Sequence, residues 1–202
     1  MNAKFVAGIV VYDNVEVLDF AGPFEVMSVV RHEDAPLITD PCAVRIVLVA
    51  ESAEPVTAMG GMKVVPDFDF ASCPPLDVLI VPGGPGERTE HDNPAVLDFI
   101  RARSRETKIT ASVCTGAFFL GKAGLLDGRR ATTHSLSIGR MREMFPKVQV
   151  VENARYVDEG GVITSAGISA GIDMTLHILK RILGEDAARA AARVMEYNRP
   201  AS

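Results

Sequence analysis

The stretch KITASVCTGAFFLGKAGLL, residues 108–126, decides the fold. Its first part, KITASVC, is a short apolar run of the kind that forms a strand inside a sheet. Its second part, TGAFFLGKAGLL, reads as a helix, stopped by Gly124 and the Asp127-Gly128 turn. Cys114 falls where strand hands over to helix. Such a turn resembles a nucleophile elbow, which lifts a reactive atom above the edge of a sheet. The start of a helix offers unpaired N–H groups and a partial positive charge. Both stabilise a thiolate and lower its pKa. Gly116 lets the chain pack closely after the turn. The plain alternative is a small buried cysteine. Position and helix polarity together favour the nucleophile.

Working outward, the same alternation recurs. Phe5–Tyr12, Val44–Val49 and Asp77–Gly84 read as further strands of an apolar, β-branched type. Between the first two, Pro23 fits the first turn of a helix whose apolar face would hold Phe24, Met27 and Val30. Asp19 is then expected in the loop before it. Two short β-rich runs flank Gly60-Gly61, a plausible hairpin. Asn93–Glu106 reads as a helix. Beyond the elbow come a short strand at Arg130–Thr133, a helix at Ser137–Met144, and strands at Val148–Val151, Arg155–Val157 and Val162–Thr164. Helices at Ala170–Leu183 and Ala187–Tyr197 close the chain. Strands alternating with helices predict an α/β fold, a mainly parallel sheet covered on both faces. No linker or repeat divides residues 1–202, so a single domain is expected. In such sheets ligands bind beyond the carboxyl ends of the strands. The residues at those ends are Asp19, Gly83-Gly84, Cys114-Thr115, His134 and Gly167.

Composition narrows the partners. The 202 residues are 48% apolar and 23% charged, which suits a packed domain. Lys plus Arg is 21 and Asp plus Glu is 26, a net charge of −5. With no basic stretch to offset it, nucleic-acid binding is not expected. No apolar run reaches the roughly 20 residues that cross a bilayer, so no membrane association is expected. Three cysteines at wide spacing form neither a disulfide framework nor a zinc motif. A cytoplasmic enzyme or binding protein is the expectation. Cys42 and Cys73 lie beside prolines in loop-like stretches and read as structural.

The remaining candidates each have two readings. Gly83 and Gly84 end the third strand, where their N–H groups could form an oxyanion-type hole beside Cys114. They could equally form only a tight turn. Asp19 sits among Leu18, Phe20 and Ala21. Apolar neighbours raise a carboxyl pKa and suit it to hold and donate a proton. An ordinary helix cap is the alternative. His134, in TTHS, could orient or protonate something near Cys114, or be a buried histidine bonded to backbone. His177 is read as packing on an apolar helix face. His32 and His91 are read as solvated loop residues, and the charges of Arg101–Glu106 as a solvated helix face. The run GAFFLGKA, residues 116–123, is one residue short of a phosphate loop. Ala123 lacks the metal-binding hydroxyl, and Ala-Phe-Phe-Leu belongs on a packed helix.

Together, LDFAGP (18–23), DVLIVPGG (77–84), SVCTGAFFLGKAGLLDGRRATTH (112–134) and GGVITSAGISAGID (160–173) resemble the ThiJ/PfpI superfamily. The resemblance runs from about Val6 to Leu183 and, within the superfamily, is to the isocyanide hydratases. It implies a flavodoxin-like three-layer sandwich, related to class I glutamine amidotransferases, and a homodimer. The family's nucleophile maps onto Cys114 and its acidic partner onto Asp19, where many members carry Glu and the hydratase branch Asp. Thr115 follows the nucleophile where the family's proteases have His, so a protease reading loses its base. The implied reaction is hydration of a small molecule, an isocyanide, to an N-formamide, with no metal or cofactor. In it Cys114 attacks, Asp19 handles protons, and Thr115 and backbone near Gly84 steady the intermediate. Glyoxalase-type members use Glu, Cys and a nearby His. His134 matches that histidine, but Asp19 departs from the pattern. The third reading is a non-catalytic cysteine sensor like the amidase-like domains of AraC-type regulators. Those carry a C-terminal helix-turn-helix domain, which residues 1–202 do not include.

Overall fold

A computed structural model of the chain describes residues 5–31 and 42–198. The elements, in order, are β1 (Phe5–Val10), α1 (Val17–Ser28), β2 (Val44–Ala50), β3 (Val56–Thr57), β4 (Lys63–Val64), β5 (Phe68–Asp69), β6 (Val78–Val81), α2 (Glu87–Glu90), α3 (Pro94–Ser104), β7 (Ile109–Ser112), α4 (Ala117–Lys122), β8 (Arg130–Ala131), α5 (Ile138–Met144), β9 (Gln149–Val150), β10 (Tyr156–Asp158), β11 (Val162–Ser165), α6 (Ala170–Leu183) and α7 (Glu185–Val194). The main sheet has seven strands in the order β10-β11-β7-β6-β1-β2-β5. All its pairs are parallel except β10 with β11. This is the three-layer α/β arrangement the alternation predicts. β6, β7 and β11 are buried at every position, as strands covered on both faces must be. Helices α1, α6 and α7 pack on one another, and α3 packs on α4. Strands β3 and β4 form the short hairpin expected around Gly60-Gly61.

Register brings the functional candidates to one edge. Ile9 lies beside Ile80, Val81 beside Ser112, and Ser112 beside Thr164. The segments that leave β1, β6, β7 and β11 therefore emerge together. Tight crossings need glycine there. A Cβ on Gly116 would run into the Val81 carbonyl oxygen, and one on Gly83 into Thr115.

Several expectations are corrected. Helix α1 begins at Val17, so Asp19 lies in its first turn and not in a loop. Pro23 is inside the helix. It deprives only the Asp19 carbonyl, four residues back, of a helical partner. The loop 12–16 is tied to the β6 end by Glu16 N–H to the Gly83 carbonyl (2.9 Å) and Gly86 N–H to the Asn14 carbonyl (3.2 Å). These tertiary bonds set the helix start. Of the apolar face expected on the first helix, Met27 and Val30 are buried in this chain's own core. Phe24 and Leu18 remain partly exposed. The expected helix at Ser137 opens as a 3-10 turn, Ser135–Ser137. Helix α2 had no expectation attached to it. His91 is buried, with Nδ1 on the Glu87 carbonyl at 2.8 Å. His32 lies outside the described residues. Among the described residues no helix is long and apolar enough to cross a membrane.

Candidate active site

Cys114 is held in a left-handed conformation, φ 57°. A non-glycine residue there is strained and persists only when its surroundings over-determine it. Here they do. Its N–H donates to the Ala166 carbonyl (3.2 Å), and its own carbonyl accepts from Thr133 Oγ1 (2.8 Å). On either side, Val113 N–H donates to the Val81 carbonyl (3.0 Å) and Gly116 N–H to the Val113 carbonyl (2.8 Å). The side chain thus points away from the sheet, 5% exposed. The N–H groups of Thr115 and Ile168 lie near enough to its sulfur to favour the ionised form.

The expected thiolate is not what this geometry makes. After Cys114 the chain forms only a 3-10 turn, Cys114–Gly116, and then the six-residue α4. Burial pushes the thiol up to about 12, with the Asp19 carboxylate adding to the rise. The two N–H groups oppose this and are outweighed. Burial and the Asp19 carboxylate both favour the thiol form of Cys114.

Asp19 lies on the first turn of α1, 0% exposed. Burial lifts its carboxyl to about 7, against the opposing pull of the Gly83 N–H. That N–H donates to Oδ2 at 3.0 Å. Oδ1 is buried and closes no well-aligned hydrogen bond. The group within reach of this carboxyl is the Cys114 thiol, which favours ionised Asp19 and is itself kept protonated by it. The two acids therefore share a site that holds a proton between them. Asp19 does not act as the N-cap; Glu16 occupies that position.

The glycines act differently from the expectation. Gly83 N–H is spent on Asp19, and Gly84 N–H on Thr115 Oγ1 (3.0 Å). Neither is free to serve as an oxyanion donor; Thr115 and Ile168 supply the N–H groups at the sulfur. Gly167 is small because His134 lies against it: a Cβ there would enter the imidazole ring. His134 caps the 3-10 turn, its Nδ1 accepting the Leu136 N–H at 3.2 Å. A neutral His134 therefore carries its proton on Nε2.

A cleft of about 260 Å³ opens over the sulfur, lined among others by Cys114, Thr115, Gly84, His134, Ile168 and Arg140. Asp19, Gly83 and Gly167 stand behind this lining. Sequence reasoning missed Ile168, φ 49°, because nothing local marks an isoleucine for the left-handed region. It missed Tyr12, whose hydroxyl donates to the Pro82 carbonyl (2.9 Å) beneath the glycine turn. It also missed Glu87 and Arg140, which come from α2 and α5 and meet only in space.

The other candidates fall elsewhere. Cys42 donates to the Met27 carbonyl at 3.2 Å, and the Cys73 thiol is pushed up by burial. His177 does not simply pack: it bonds Asp158 at 2.7 Å and stacks on Tyr156. Arg103 reaches back to the Cys73 carbonyl (2.6 Å), so its helix face is not wholly solvated. Ala117–Leu120 are fully buried, so the middle of the 116–123 run is core. Among the described residues no three His, Cys, Asp or Glu side chains are grouped to hold a metal.

Comparison with known proteins matches the fold. The model of the DJ-1/PfpI family matches residues 6–181. The chain is 34% identical over 191 residues to an isonitrile hydratase of Pseudomonas putida, covering 94% of this chain and 77% of that protein. It is 33% identical over 144 residues to the HTH-type transcriptional regulator GbdR of Pseudomonas aeruginosa, covering 71% of this chain and 39% of that protein. The crystal structure of a ThiJ/PfpI family protein from Pseudomonas syringae superposes with a TM-score of 0.85 at 30% identity, covering all of this chain and 78% of that one. Drosophila melanogaster DJ-1beta shares the fold, with a TM-score of 0.80 at 19% identity over 98% of this chain and 100% of that one.

Proposed function

Because the chain belongs to the DJ-1/PfpI family, we propose that it is a cysteine-dependent isonitrile hydratase, converting an isocyanide and water to an N-formamide. The observation that carries this reading is the buried Cys114–Asp19 pair, one thiol and one carboxyl with raised pKa values beside a small cleft. An isocyanide needs a nucleophile and a proton at the same terminal carbon, and this pair supplies both. The identity to an isonitrile hydratase over most of the chain supports the same reading.

The steps balance with protein groups alone. As the sulfur of Cys114 bonds to the terminal carbon, the thiol proton passes to Asp19, so a free buried thiolate is never required. Protonated Asp19 gives a proton to that carbon, leaving a thioimidate, R–N=CH–S–Cys114. A carboxyl lifted to about 7 is suited to hold and release a proton at neutral pH. Water then adds to the carbon, Asp19 accepting its proton and returning one to nitrogen. The C–S bond breaks as Asp19 carries the hydroxyl proton to the sulfur, so the formamide leaves and the thiol is restored. The Thr115 and Ile168 N–H groups steady negative charge at the sulfur during attack and departure. The Thr115 hydroxyl, already accepting from Gly84, has its own hydrogen to offer the cleft. His134 stands in the wall of the same cleft.

Incubation with para-nitrophenyl isocyanide tests this. Formamide release by the protein, abolished in Cys114→Ala, is expected. Absence of formamide would overturn the hydratase reading. Consumption of methylglyoxal in its place would assign the same cysteine to α-oxoaldehydes. Inertness to both would leave the sensor role suggested by the likeness to GbdR.

A further inference from the structure

Four charged side chains also line the cleft: Glu16, Glu87, Arg88 and Arg140. Their pairing is uneven. Glu87 is buried, its side chain 1% exposed. Its Oε1 is held by Arg140 and by His91 Nδ1 at 3.0 Å. Glu16 stands on the Asp19 side, where its charge adds to the cost of ionising that carboxyl. The two arginines are not used up. Arg140 is 20% exposed, and its guanidinium carbon lies 3.7 Å from the centre of the Phe118 ring. Through Nη2 it meets Glu87 alone, so its other N–H donors have no hydrogen-bond partner among the described residues. Stacking and one salt bridge fix its plane, and a fixed guanidinium loses little freedom when it binds. Arg88, on α2, is exposed on the same wall. Its side chain has no ion pair or hydrogen bond among the described residues.

Partly buried donors without acceptors are costly, and a planar fork of them matches a carboxylate in both geometry and charge. A cleft of about 260 Å³ admits only a small molecule between that fork and the sulfur. We propose that Arg140 and Arg88 form a carboxylate subsite, and that the substrate is a small isocyanide whose substituent ends in a carboxylate. Arg140 takes the carboxylate in the fork and Arg88 closes over it from the rim. The substrate's class rests on the hydratase reading; the subsite does not.

Two alkylating agents separate these claims. Iodoacetate and iodoacetamide are close in size and differ in charge. Each forms a C–S bond at the thiol as iodide leaves and the thiol proton is released. The measurement is the iodoacetate-to-iodoacetamide rate ratio at Cys114, by mass spectrometry, divided by the same ratio for the chain unfolded in urea. The thiolate fraction cancels within each ratio. The native protein is expected to favour the anion, less so as salt is raised. Arg88→Gln, at an exposed position that leaves the fold intact, should lower the ratio about threefold. Arg140→Lys, which keeps the charge but loses the fork, should lower it about fivefold. A native ratio equal to the unfolded one, or no change in Arg88→Gln, overturns the subsite. Isocyanoacetate and methyl isocyanoacetate then test the substrate: kcat/KM is expected to favour the anion about tenfold. Turnover of both without preference overturns the substrate class. An alkylation preference with no turnover of either supports the subsite and overturns the substrate class; para-nitrophenyl isocyanide alone then decides the hydratase reading.

Discussion

Asp19 and Cys114 illustrate how burial changes what a residue can do. Each is an acid taken out of water, and burial disfavours the charged form of both. Replacing the carboxyl with an amide keeps shape but removes the exchangeable proton. Asp19→Asn is expected to fold and to lose about a hundredfold or more in kcat, the usual size of general acid–base catalysis. Near-wild-type turnover in the folded variant would remove Asp19 from the proposed chemistry. The same substitution has a signature in stability. A carboxyl lifted from 3.8 to about 7 binds its proton more tightly folded than unfolded. Its contribution is therefore full below the lower value and is lost as pH rises to about 7. Asn has no such loss. The melting temperature of Asp19→Asn should exceed wild type by about 4 °C or more near pH 8, and by less than half as much near pH 5. A gain that is equal at both pH values would show that Asp19 does not hold its proton in the fold.

At the scale of elements, the site is built by the ends of β6, β7 and β11 crossing at short range. Gly116 is the clearest case. It has ordinary helical dihedrals, so its smallness is required by the Val81 carbonyl and not by its own backbone. Gly116→Ala should force two backbones apart, costing more than about 2 kcal/mol and displacing Cys114 from the Thr115 and Ile168 N–H groups. Gly139, within α5, is the control. A Cβ there meets nothing within 4 Å, and Gly139→Ala should be neutral or stabilise by up to about 1 kcal/mol. Thermal melts of both variants check this pair. Equal effects would show that the crossing is looser than described.

For the whole molecule, a homodimer is proposed from the family resemblance. The apolar atoms available for it are not those of Met27 and Val30. Leu18 and Phe24 on α1, with Met59 and Met62 on the hairpin, are each between 37% and 51% exposed. Two-fold association would cover them. Light scattering at micromolar concentration should return twice the 21.7 kDa chain mass. A mass of one chain would refute the dimer.

What the amino-acid sequence determined by itself was the alternation of apolar runs and helices, and so the layered fold and the edge that holds the candidate site. It also singled out Cys114 and Asp19, because a reactive residue type stood just past β7 and a carboxyl stood among apolar neighbours. Both are local patterns, set by hydrophobic period and by residue chemistry within a few positions. The state of those residues was decided only by tertiary structure. Proximity to a helix start argues for a thiolate, but burial and a carboxylate from another helix outweigh it. Two glycines after a strand argue for free N–H donors, but Asp19 and Thr115 consume them. Ile168, Tyr12, Glu87 and Arg140 carry no local mark. Their roles arise from neighbours far along the chain, and desolvation, charge pairing and hydrogen-bond satisfaction are properties of surroundings that folding alone brings together.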